Sequence, residues 1–207
     1  DGASAYGATS GNLIEALREG LDGAATEDGY EPKDYDGVCF VHSGYAAEHG
    51  GTDCDGAEAL DRIWVHSRGM NWFDPRDGNG ERTNLVYTIV SAFWGTCGTE
   101  MARVAMQTHE VGHILGLGDL YGFGTRGNGV GRWDSMGYVW GPDNAQRYPP
   151  HFSAYSKIEV GFVEPTVLKE DGTYSILAAE IVPQVYQIKH GYPQGEYLLI
   201  ENRQSVG

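Results

Sequence analysis

No stretch of the 207-residue chain approaches the roughly 20 consecutive apolar residues that a membrane span needs, so none is predicted. Basic residues are also scarce: 14 Lys and Arg stand against 29 Asp and Glu, a formal charge of −15. A chain so acidic is poorly equipped to neutralise phosphates, which argues against nucleic acid and anionic lipid as partners. The acidic balance fits a soluble extracellular or salt-tolerant protein. Cysteine is limited to Cys39, Cys54 and Cys97, an odd set without zinc-finger spacing. A Cys39–Cys54 disulfide that leaves Cys97 unpaired, and three small buried thiols, are equal readings of that set. There is no internal repeat and no low-complexity linker, and the length suits one large or two small domains. Asp1 follows no Met and opens no signal-peptide pattern, so the chain reads as a piece of a longer precursor, with a propeptide or additional domains to be expected.

Against these absences stands one dense motif, His109-Glu110-Val111-Gly112-His113, continuing through Gly116 to Asp119. On a helix, residues four apart lie on one face, so His109 and His113 can grip a single ion. Glu110 directly follows the first histidine, where its carboxylate can reach a water on that ion. Gly116 is a natural helix stop, because it takes the left-handed conformation without a Cβ penalty. A turn there would bring Asp119 back as third ligand and leave one position open, as in catalytic zinc sites. A bare HExxH pentapeptide occurs by chance in many proteins; the extension to Gly116 and Asp119 makes this one far more specific.

Elsewhere the pattern is of an α+β chain. Leu13, Ile14, Ala16, Leu17 and Leu21 follow helical spacing between Gly11 and Gly23. Val38–Val41 reads as a buried strand, Ile63–Val65 as a second, and Leu85–Val90 as a third, while Met70 to Arg82 reads as a loop. A helix is expected from Thr96 or Thr99 as cap, with Glu100 in its first turn and Met101, Val104, Ala105, Thr108 and Val111 on its packed side. Asp119 to Gly131 holds five glycines and must be irregular. A further helix is expected from Ser153 to Val160, then short β segments at 174–177, 185–189 and 197–200. Two parts are therefore expected, a catalytic domain over 1–165 and a β segment over 166–207 that begins a further β-rich region.

Trp133-Asp134-Ser135-Met136-Gly137-Tyr138 resembles the methionine turn of metzincin proteases, with Tyr138 two residues past the methionine. More broadly, Val41–Glu48, Ile63–Ser67, His109–Tyr121, Phe152–Phe162 and Tyr197–Arg203 resemble segments of the immune-inhibitor-A-type secreted metallopeptidases. The resemblance implies a metzincin-like zincin fold: a twisted mixed sheet, an active-site helix, a Met-turn and a C-terminal helix. It also implies a secreted zinc endopeptidase acting on protein or peptide substrates. His109, His113 and Asp119 would hold Zn2+ and lower the pKa of a bound water from about 15.7 towards 7. Glu110 would be the general base, Tyr138 a hydrogen-bond donor to the oxyanion, and Met136 an apolar floor.

A distant glutamate, Glu201 or Glu159, is the alternative third ligand, although an ordinary ion-pair or surface role is favoured for both. The family's calcium site (Ca2+) is left without support, since no compact Asp-x-Asp-x-Asp run occurs. An extended substrate could add along Leu85–Val90, unless that strand is interior. His42, His49, His66, His151 and His190 are isolated, and only His42 and His66, at strand ends, are candidates to line the cleft. Trp133 and Trp140 are read as packing residues. The competing readings are a non-catalytic binding or structural module of an extracellular assembly, and a zinc amidase acting on non-peptide substrates.

Overall fold

The computed structural model describes residues 11–78, 80, 82–122 and 129–204. Its centre is the strand rich in β-branched and aromatic residues, which extends over Arg82–Phe93. Two more strands flank it: β1 (Val38–Tyr45) runs parallel to it and β2 (His66–Phe73) antiparallel, so the sheet is mixed. With the central strand as β3, the order is β1-β3-β2. Helix α1 (Gly11–Asp28) covers one face and helix α2 (Val104–Ile114) the other.

Strand alternation explains both layers. Leu85, Tyr87 and Ile89 point to one side and join Met70 and Trp72 against Leu17, Leu21 and Ala25 of α1. Val90 points to the other side, where it packs with Ala46 and Val65 against Met106 of α2. Trp72 Nε1 donates to Asp22 Oδ1 at 2.8 Å, which anchors α1 by a polar bond at the rim of the apolar core. A Cβ on Gly37 would stand 2.8 Å from Ile114, so the entry to β1 needs glycine to let the end of α2 approach.

Several expectations change. The segment 63–65 is not a strand, and β2 begins at His66 and takes in Met70–Phe73, so the loop is shorter than the composition implied. Its polar residues Arg68 and Asn71 sit in a strand because pairing with β3 overrides their weak propensity. β1 is half exposed rather than buried, with Val41 at 62% exposure, because it lies at the sheet edge. β3 is interior, hydrogen-bonded on both sides, so no substrate strand can add to Leu85–Val90. Helix α2 starts later than expected, at Val104 with Arg103 as N-cap and no side-chain cap, and Met101 instead bridges Phe93.

The disulfide expectation is also corrected: Cys54 pairs with Cys97, and Cys39 is free and exposed. Cys39 is held in β1 opposite Thr88, whereas the Cys54 backbone N–H donates to Thr96 O, setting its loop against the Cys97 turn. Among the described residues, the chain after the sheet forms a short helix α3 (Ala154–Glu159), then β4 (Thr166–Leu168), β5 (Tyr186–Ile188) and β6 (Leu198–Ile200) in a second mixed sheet. The helix expected over Ser153 to Val160 is thus present, with Ser153 as its N-cap, its side chain accepting from the Ser156 N–H. The segment 174–177 is not a strand, and β4 went unread. The expected irregular loop after Asp119 falls partly at 123–128, outside the described residues.

Candidate metal centre

Helix α2 buries the face that carries Ala105, His109 and Gly112, together with Glu110. It ends as its glycine requires: Gly116 takes φ 94°, its N–H donates to His113 O, and the Leu117 N–H donates to Gly112 O, both at 3.0 Å. This double closure is a Schellman motif, and it reverses the chain within one turn. Asp119 consequently returns to the helix. His109 Nε2 and His113 Nε2 lie 3.2 Å and 3.3 Å from the same Asp119 Oδ1.

Each ring is oriented by its other nitrogen. His109 Nδ1 lies 2.8 Å from Ser135 O and His113 Nδ1 lies 2.9 Å from Leu117 O. A carbonyl only accepts, so both Nδ1 atoms carry the proton and both Nε2 atoms present lone pairs. Asp119 Oδ1 is buried with no hydrogen-bond donor. Three acceptors thus face one point, an arrangement that only a cation or added protons can relieve. Donor atoms 2.0–2.2 Å from a tetrahedral ion stand roughly 3.3 Å apart, which the two His–Asp separations match. The donor set fits a divalent ion. Among the described residues, these three form the group of His, Cys, Asp and Glu side chains with that geometry.

The electrostatics follow from the same crowding. Burial pushes Asp119 up, but the two imidazoles outweigh it and hold the carboxyl well below the usual range. Burial lowers His109, yet the adjoining Asp119 carboxylate and the Ser135 carbonyl leave it raised; His113 is raised chiefly by Asp119. Glu110 is 4% exposed, and burial raises its carboxyl despite the neighbouring histidines.

The segment at 134–136 positions the rings. Ser135 supplies the carbonyl for His109, and Met136, fully buried, packs so closely that a Cβ on Gly112 would lie 2.4 Å from its Sδ. The glycine between Glu110 and His113 is therefore required by the methionine beneath it. Asp134 is fully buried and accepts from Met136 N, Ser153 N and Ser156 Oγ at 2.7, 2.8 and 2.6 Å, tying the turn to α3.

The cleft, about 570 Å³, is lined by the metal group, Glu110, Trp64 to Arg68 at the start of β2, and Gly137 to Trp140. Tyr138 lines it, but its hydroxyl donates to Asn144 Oδ1 at 3.2 Å. His66 also lines the cleft and is bonded to Trp64 O and the Tyr87 hydroxyl; His42 is not among the lining residues. Glu201 is held elsewhere, by Lys157 Nζ, Arg203 Nε and the Ala154 N–H, and Glu159 is exposed. Trp140 packs edge-on against Trp94, as read, whereas Trp133 is 70% exposed.

Two residues had escaped notice. Tyr121 stacks on His109 and hydrogen-bonds Asp119, and burial, with that carboxylate, pushes its phenol up to about 12. Its position two residues past Asp119 was the available signal. Glu48 is nearly buried and feels Glu110 electrostatically, and nothing in its local sequence marks it.

A buried helix that offers two oriented imidazoles, a returning carboxylate and an adjacent buried acid is the arrangement of a metallopeptidase. Residues 19–161 match the model of the immune inhibitor A peptidase M6 catalytic domain, and the chain belongs to that family. No match was found among curated proteins or among solved structures.

Proposed function

We propose that this chain is a secreted zinc-dependent endopeptidase, with His109, His113 and Asp119 as metal ligands and Glu110 as general base. The observation that carries the reading is the convergence of two Nε2 atoms and Asp119 Oδ1 beside the buried Glu110. When bound, zinc would supply Lewis-acid polarisation of the scissile carbonyl and acidify the attacking water. Glu110 takes the proton of that water at its carboxylate and passes it to the leaving amine. Burial makes it a stronger base than a surface glutamate, closer to the working pH.

Tyr121 acts as a positioning residue, since its hydroxyl and ring hold Asp119 and His109 in place. Tyr138 is the candidate donor to the developing oxyanion, and its hydroxyl must leave Asn144 to serve. An extended substrate adds along β2, which among the described residues pairs with β3 alone and brings Ser67 and Arg68 into the cleft. The catalytic unit is assigned to 1–165 and the second sheet lies in 166–207. Secretion accords with the Cys54–Cys97 disulfide, because such bonds persist in oxidising compartments.

Glu110→Gln keeps the shape and the ligands but removes the base. Bound zinc, measured by elemental analysis, should stay at the wild-type level while peptide cleavage falls about 10³-fold or more. Cleavage at the wild-type rate would remove Glu110 from the mechanism.

A further inference from the structure

The sheet-side wall of the cleft runs from Trp64 into β2 as far as Arg68, and among the described residues β2 pairs with β3 alone. Side chains alternate along this wall. Val65 turns to the α2 face, where it packs with Val90 and Met106, and it lines with Met106 a mostly apolar cavity of about 380 Å³ beside the cleft. His66 and Arg68 turn to the α1 face, in step with Met70 and Trp72, and Arg68 stands opposite Tyr87 in the register.

Arg68 is the one Lys or Arg among the described residues that line the cleft. Every other described arginine is engaged by a carbonyl, an amide oxygen or a carboxylate, as Arg18 is by Asn71 O and Arg147 by Glu100. The exposed Arg68 guanidinium has no such partner among the described residues, in a chain with 29 acidic side chains to 14 basic ones. His66 does not change that balance. Its Nδ1 donates to Trp64 O at 2.7 Å and its Nε2 accepts from the Tyr87 hydroxyl at 3.0 Å, so the ring is neutral and both nitrogens are used. Glu110 and Asp119, the carboxylates that line the cleft, lie on the opposite side with the metal group.

A peptide that adds to the outer edge of β2 turns alternate side chains to the two faces. Those on the α2 face meet Val65 and Met106, and one on the α1 face meets Arg68. A guanidinium offers five donors and no acceptor, in a fork that fits a carboxylate with two parallel bonds. A lysine or arginine at that place meets like charge, which is unfavourable between strand neighbours. An apolar side chain gains nothing from the guanidinium. We infer that Arg68 is a specificity-determining residue that selects an acidic side chain at the substrate position facing it across the β2 edge. The inference rests on the peptidase reading and names the substrate class of that same cleft. The net charge of −15 repels acidic peptides at a distance, so the selection is local to this contact.

The test is cleavage of a randomised peptide mixture by the full chain, with the cut sites read by mass spectrometry. Aspartate or glutamate should be enriched at one fixed position from the cut. Three matched, otherwise neutral peptides then carry glutamate, glutamine or lysine at that position, or at their centre where nothing is cut. The kcat/KM for the glutamate peptide should exceed that for the glutamine peptide about fivefold. In Arg68→Gln that ratio should fall to about one, and in Arg68→Glu the lysine peptide should become the best of the three. Enrichment of basic residues, no enrichment of acids at any position, or a ratio unchanged in Arg68→Gln would overturn the inference. Calorimetry of the same peptides with Glu110→Gln separates this inference from the peptidase reading. Tighter binding of the glutamate peptide, lost when Arg68→Gln is added, supports the subsite even if the wild type cleaves nothing. Equal affinities overturn it even if the wild type cleaves all three.

Discussion

The two walls of the cleft differ in how their polar atoms are held. On the wall built from α2 and the turn at 134–136, almost every polar atom has a designated partner. Asp134 accepts three bonds, both histidine Nδ1 atoms meet carbonyls, and the Gly116 turn closes on the helix. Partnerless buried atoms occur on both sides: Asp119 Oδ1 at the metal group, and Glu48 Oε2, Arg103 Nε and Gln146 Nε2 on residues that line the neighbouring cavity. A satisfied network fixes geometry, which ligands of a metal require. The cleft and the neighbouring, mostly apolar cavity meet at Val65 and Met106.

The largest effect that separates the walls should come from the disulfide, which staples the β1–β2 connection to the turn before α2. Cys54→Ser frees a loop of 43 residues' separation. It should cost about 4 kcal/mol by chain entropy. Chemical denaturation would register the loss. Zinc affinity of the folded variant should hardly move, and a large fall in it would mean that the walls are not independent.

Next is Asp134→Ala, which strands three donors and should destabilise the chain by about 3 kcal/mol. Here zinc affinity should fall as well, because Ser135 O would no longer hold the His109 ring. Equal affinity, measured by chelator competition, would show that the turn does not orient the ligand.

A third effect, of similar size, depends on pH. The folded Glu48 carboxyl lies at about 7, above the roughly 4.3 of an unfolded glutamate. The folded state therefore holds the proton more tightly. That contribution is complete below about pH 4.3, declines as pH rises towards 7, and is lost above it. Glu48→Gln should match the wild type at pH 4 and exceed its stability by about 3–4 kcal/mol at pH 8. A difference that does not vary with pH would mean that Glu48 is not strained by burial.

Much of the metal wall was legible in the chain because its signals are local. His109 and His113 are one helical turn apart, Gly116 is a stop, and Asp119 follows within reach, so the helix and its reversal bring them together without help from elsewhere. The neighbouring cavity was not legible. Glu48 and Gln146 are 98 positions apart in the numbering and carry no motif. Whether Leu85–Val90 is an edge or an interior strand stayed open for a similar reason: it has the composition of a strand, but composition does not say which strands flank it. Cys39 and Cys54 were the nearer pair along the chain, and the fold carried Cys97 to Cys54 instead.

Helical periodicity, a glycine stop and short side-chain spacings act over a few residues, so the amino-acid order alone determined that His109, His113 and Asp119 would meet beside Glu110. Which strand is central, which cysteines meet, and which polar atoms share a cavity depend on chain segments far apart in order. Those were decided only when burial of the two apolar faces of β3 drew α1 and α2 onto the sheet, because hydrophobic association has no direction of its own and leaves the pairing to global packing.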